Sequence, residues 1–245
     1  MFVQFEFFSL IKENMYSTFN KPVYSRSKEF GIYCNQLDVI KEILLELLND
    51  SLKLVTDKFD HIETEYQNIK KENWEEGEIF YQHDYEPRKV ATYELKETIC
   101  FTSIGFLFTQ FETKIIELAN LTAVIFHSEI EYEHYSNKCR KKNKGINKAK
   151  NFIIDIAKID ISDIESSWSK IKQFQYLRNC IIHRNGRVNK DSSIIQFAQS
   201  TTNLNYHVPS DRIQIKKEFV EEFINILFNY LEQLVKKLYN KLYKQ

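Results

Sequence analysis

The chain has 245 residues, 34 Lys and Arg balanced by 34 Asp and Glu, and 43% hydrophobic content. A chain of that size buries roughly 70–75% of its unfolded surface, and this composition excludes disorder over most of its length. Five Gly and three Pro are too few for an all-β sandwich or a glycine-rich phosphate loop, and zero net charge provides no global attraction for nucleic acid. The opening MFVQFEFFSLIKENMY lacks a basic n-region and a small-residue cleavage site, which makes it a poor signal peptide. Cys34, Cys100, Cys139 and Cys180 form no C-x-x-C pair, as expected of reduced thiols in a cytoplasmic protein. The apolar stretch from Ile99 to Phe126 is interrupted by Gln110, Glu112, Lys114, Glu117 and Asn120, so no membrane span is expected.

From Gln36 to about Trp74 the spacing of Leu37, Ile40, Ile43, Leu44, Leu47, Leu48 and Leu52 predicts a helix. Its end turns acidic between Glu63 and Glu86, a solvated face or a surface for a regulator, and Pro87 interrupts the pattern. A second long helix is predicted from near Tyr93, with Phe101, Ile104, Phe108, Phe111, Ile115 and Leu118 as its core stripe. Seven basic residues between Lys138 and Lys150, without one acid, surround Gly145. A short helix with Phe152, Ile153 and Ile156 inside follows, and Ser162 or Asp163 is placed to cap the next. That helix carries Ile164, Trp168, Ile171, Phe174, Leu177 and Ile181 on one side, with Gly186 as its stop. Between Ser192 and Gln214, SIIQFA and RIQI alternate around Pro209 and predict a small hairpin. A last helix over 216–242 turns Val220, Phe223, Ile224, Leu227, Leu231, Leu234 and Leu238 inward. The expected fold is an all-α antiparallel helical bundle with one β-hairpin inserted before its last helix.

The chemically loaded segment is Leu177-Arg178-Asn179-Cys180-Ile181-Ile182-His183-Arg184-Asn185-Gly186. An Arg-Asn pair with His five positions after the Arg arises by chance roughly 0.01 times in a chain of this composition. This R-N-x-x-x-H form, at the end of a helix in a helical bundle, resembles the HEPN superfamily. Its catalytic members include toxins, abortive-infection proteins and RNA-guided CRISPR ribonucleases. The resemblance covers roughly residues 92–245 and leaves 1–91 as an unassigned N-terminal helical extension. It implies a metal-independent endoribonuclease without a cofactor, acting as a toxin or phage-defence effector. Arg178 and His183 match the catalytic pair, and Asn179 matches the polar residue that commonly follows the arginine. One variant of the family carries a Tyr two residues after the His; here Asn185 stands there.

The residue types suit that chemistry. RNA carries its own nucleophile, the ribose 2′-hydroxyl. A histidine moves protons near neutral pH, and an arginine fork matches phosphate oxygens. The resemblance implies products with a 2′,3′-cyclic phosphate and a 5′-hydroxyl. Five steps of about 100° set Arg178 and His183 about 140° apart around a helix, whereas Asn179 and His183 share a face. The family's answer is a composite site across a two-fold axis, so a homodimer is expected, with Trp168 and Phe174 in the core or at that interface. Arg184 and Arg187 flank the motif as phosphate contacts, and Lys141, Lys142 and Lys144 form the best local basic patch for RNA. An antitoxin or regulatory partner would engage the N-terminal helical region.

Plainer readings stand beside these. His183 also fits a dipole-stabilising C-terminal histidine, Arg178 a surface ion pair, and the basic run a solvated loop. His127, Glu131 and His134 have the spacing of a metal site on one helix face, or of an exposed polar face. Glu112 is either a buried acid facing the motif helix or a boundary residue. A non-catalytic helical interaction module, with residues 36–80 as a partner-binding arm, is the alternative function.

Overall fold

A computed structural model describes residues 26–135, 144–188 and 193–243. The fold is an all-α antiparallel bundle with a two-stranded hairpin before the last helix. Helix α1 (Arg26–Glu72) is 47 residues long, about 70 Å. It begins ten residues earlier than its leucine periodicity predicts, because Phe30 and Tyr33 also face the core. The Tyr33 hydroxyl donates to the Lys114 carbonyl at 2.7 Å. The chain reverses at Asn73, whose side chain accepts from the amides of Glu75 and Glu76 at the start of α2 (Trp74–Phe80). Gly77 is required there, since a Cβ would stand 2.7 Å from the Lys70 backbone.

A π-helical turn (Tyr81–Tyr85) leads into α3 (Glu86–Ile125). The helix predicted from near Tyr93 therefore begins at Glu86, and the junction between residues 91 and 92 lies inside it. Pro87 sits in the first turn, where its missing N–H is tolerated, so it does not break the helix.

Helix α4 (Ile146–Ala157) packs on α3, and α5 (Glu165–Arg184) follows. Neither Ser162 nor Asp163 caps α5. A 3-10 turn over Ser162–Ile164 leads in, Asp160 accepts from the Ser162 amide and hydroxyl, and Asp163 pairs with Lys237 at 2.6 Å. The segment SIIQFA is helical, in α6 (Ser193–Ser200), and not a strand. Ile194, Ile195 and Ala198 bury one helical face there, and a short apolar run does not distinguish the two states by itself. The hairpin is β1 (Leu204–His207) and β2 (Arg212–Ile215), registered Leu204 to Ile215 and His207 to Arg212, with Pro209 in the turn. Helix α7 (Lys217–Tyr243) closes the bundle.

Helices α1 and α5 each pack on both α3 and α7 and lie across that pair from one another. The predicted stripes of α3, α5 and α7 are all buried in one core. Trp168 packs on Tyr230, and Phe174 on Phe219 and Phe223, which places both in the core. Beyond the hairpin, α1, α2 and the start of α3 project as an arm. Its packing is aromatic: Tyr66 stacks on Tyr85 at 4.5 Å, and Phe59 meets Tyr85 and Tyr93. Cys34, Cys100 and Cys180 are free thiols. No described helix is long and apolar enough to cross a membrane.

Candidate functional site

The apolar side of α5 sets the orientation of the motif. With Trp168, Ile171, Phe174, Leu177 and Ile181 buried against α3 and α7, Asn179 and His183 project outward on successive turns and are exposed. Arg178 falls on the flank towards α3 and is half-buried. Its Nη1 donates to Asn179 Oδ1 at 3.1 Å. Its Nε–H is buried without an acceptor among the described residues, a situation that costs about 1–3 kcal/mol when nothing meets the donor.

Across from it on α3 stands Glu112, half-buried. Burial raises the Glu112 carboxyl above the usual carboxylate range, and the Arg178 charge offsets part of that rise. A Cβ on Gly145 would lie 3.9 Å from Glu112 Oε1, so the start of α4 and the exposed Lys144 stand beside this acid. Lys141 and Lys142 lie outside the described residues. Two further members of the basic run have structural partners. Lys148 donates to the Glu133 carbonyl, and the buried Lys150 pairs with Glu165 and lies over the Trp168 ring.

The end of α5 is built with care for backbone geometry. Asn185 and Gly186 both take positive φ, 50° and 74°, and the Gly186 amide returns to the Cys180 carbonyl. Gly186 is buried against Phe101, with no room for a Cβ, which would stand 2.6 Å from that ring. Arg212 of β2 secures this turn: Nε donates to the Asn185 carbonyl at 3.1 Å, Nη2 to Asn185 Oδ1 at 3.4 Å, and Nη1 pairs with Glu97 at 3.2 Å. Sequence reasoning missed Arg212 because its partners lie 27 and more than 100 residues away and carry no spacing signal. Arg184 and Arg187 are exposed beside the motif, and the Arg187 carbonyl accepts from Cys180 Sγ.

The structure thus brings Arg178 together with Asn179 and Glu112, while His183 stands on the outer face with no hydrogen bond to either. A groove of about 550 Å³ runs beside them between α3 and α5, lined among others by Thr102, Gly105, Phe106, Thr109, Ile182 and Asn185.

The metal spacing does not survive. Helix α3 ends at Ile125, His127 is left-handed, and residues 127–135 are not helical. His127, Glu131 and His134 therefore share no helix face; His134 pairs with Glu131 at 3.2 Å. Among the described residues no group of three or more His, Cys, Asp or Glu side chains converges to hold a metal. In comparison with known proteins, no family model, no curated protein and no solved structure matches the chain.

Proposed function

We propose that this chain is a metal-independent endoribonuclease of HEPN type, acting as a toxin or phage-defence effector. The observation that carries the reading is the buried Nε–H of Arg178, unmet among the described residues, on the same helix end as an exposed His183. In this reading the Arg178 guanidinium, held by Asn179, stabilises charge on the scissile phosphate. His183 moves the proton of the 2′-hydroxyl attack or of the departing 5′-oxygen. Arg184, Arg187 and Lys144 meet neighbouring phosphates, and the groove beside Ile182 leaves space for flanking nucleotides. Because Arg178 and His183 point about 140° apart, a second copy would supply the complementary residue across a two-fold axis.

The test is incubation of the pure protein with mixed RNA in EDTA, beside His183→Ala. Wild-type cleavage leaving 2′,3′-cyclic phosphate ends, and loss of about 100-fold or more in the variant, is the expected result. Cleavage that survives His183→Ala overturns the reading. The separation of Arg178 from His183 within one chain favours a second reading, a non-catalytic helical interaction module. It predicts intact RNA in both tubes and equal cell growth on expression of wild type and Arg178→Ala.

A further inference from the structure

Helix α1 carries two apolar faces. Phe30, Tyr33, Leu37, Leu44 and Leu48 form the inner one, buried against α3 and α7. Ile32, Val39, Ile43, Leu47 and Leu54 form the outer one, exposed by 40%, 54%, 40%, 38% and 62%. At about 100° per residue these five fall within a band roughly 80° wide on one flank of the helix, centred about 115° from the middle of its buried face. Scattered single hydrophobics on a surface are ordinary, but five in one row over about 33 Å of helix, interrupted by Gln36 and Asp50, are not.

Positions 32, 36, 39, 43, 47, 50 and 54 make up this row, and their spacings run 4, 3, 4, 4, 3, 4, the same in both directions. If α1 meets a copy of itself antiparallel, with a two-fold axis at Ile43, position n faces position 86 − n. Ile32 then meets Leu54, Val39 meets Leu47, Ile43 meets Ile43, and the two polar members, Gln36 and Asp50, meet each other. A parallel pairing would instead set Asp50 against Asp50 and lay the two arms side by side. Each arm holds twelve Asp and Glu against six Lys and Arg between residues 57 and 97, so parallel arms repel. The antiparallel arrangement sends them in opposite directions.

We infer that the outer face of α1 is an isologous, antiparallel docking surface for a second copy of this chain. It does not rest on the ribonuclease reading. The face lies across the α3–α7 pair from α5, so the motif stays open in this dimer, and a composite site would need a second, separate two-fold. A single helix-on-helix contact of about 33 Å by 10 Å is smaller than the roughly 800 Å² that each partner commonly contributes. A weak, reversible dimer is therefore expected.

Cysteine replacement reads the geometry directly. Under mild oxidation Ile43→Cys should form a covalent dimer with itself. Val39→Cys and Leu47→Cys alone should stay at the background set by the wild type and its native cysteines, while the Val39→Cys/Leu47→Cys double variant crosslinks. Equal crosslinking of the three single variants means a parallel pairing, and none in any variant means no such face; either overturns the proposal. Sedimentation of the full chain between about 1 and 200 µM is the companion measurement. Ile43→Glu should weaken dimerisation at least tenfold with helical circular dichroism unchanged, and Ile182→Glu on α5 should not. A wild type that stays monomeric throughout, its stripe covered by residues 1–25 or by another protein, also overturns the proposal. So does a dimer that survives Ile43→Glu and falls apart with Ile182→Glu.

Discussion

The bundle and the arm are built from the same two helices and differ in what holds them. In the bundle, α1 and α5 each pack on α3 and α7, and residues such as Phe111, Ile115, Leu227 and Leu231 are wholly removed from solvent. In the arm, the end of α1 packs only on α2, the π-helical turn and the start of α3, which leaves more of its surface facing water. Their seam is closed by tyrosines whose rings stack inside while their hydroxyls reach the edge: Tyr85 donates to Glu63, and Lys89 lies over the Tyr85 ring. The lesson is that a long helix spends its stability unevenly. One end is part of a cooperative core, and the other rests on aromatic contacts of about 0.5–1.5 kcal/mol each and on helix formation itself.

The largest effect that separates the two regions is expected from Phe111→Ala. It empties a fully enclosed site and should cost about 3–5 kcal/mol in chemical denaturation, for the whole molecule. Tyr66→Ala should act locally. Amide exchange should accelerate across 57–97 with little change in α7, and the global transition should fall by about 1–2 kcal/mol. Equal loss of protection in both regions would show that arm and bundle unfold as one unit.

The smallest effect is electrostatic. Glu63, the main cause, pushes the Tyr85 phenol up to about 12, above the unfolded value of about 10. A raised folded pKa contributes stability that is complete below about pH 10 and is lost as pH rises towards 12. Glu63 is itself lowered, chiefly by the Tyr85 hydroxyl. Its contribution is present above the unfolded carboxylate value and is lost as pH falls through the folded one. Tyrosine absorbance titration should therefore find the Tyr85 phenol among several delayed ones, at about 12, and Glu63→Gln should move one phenol back towards about 10 relative to wild type.

Much of the bundle was legible in the sequence because its helices are amphipathic with a clear period. Spacing alone predicts the stripes of α3, α5 and α7, and alternation predicts the RIQI strand. The errors fall where local pattern is ambiguous. SIIQFA alternates over too few residues to separate strand from helix, and Pro87 reads as a break until the π-helical turn before it is seen. The spacing of His127, Glu131 and His134 implies a shared face only if the helix continues, and α3 stops at Ile125.

The candidate site divides in the same way. The motif itself, its helix and its glycine stop follow from residue order alone, since capping and periodicity are local properties of the chain. Tertiary packing alone decided which flank of α5 is covered. That choice sets Arg178 against Glu112, leaves His183 outside, brings Arg212 from the hairpin onto Asn185, and splits the apolar residues of α1 between a buried and an exposed face. Periodicity tells how side chains are arranged around one helix, but only the neighbouring helices determine which of those sides meets water.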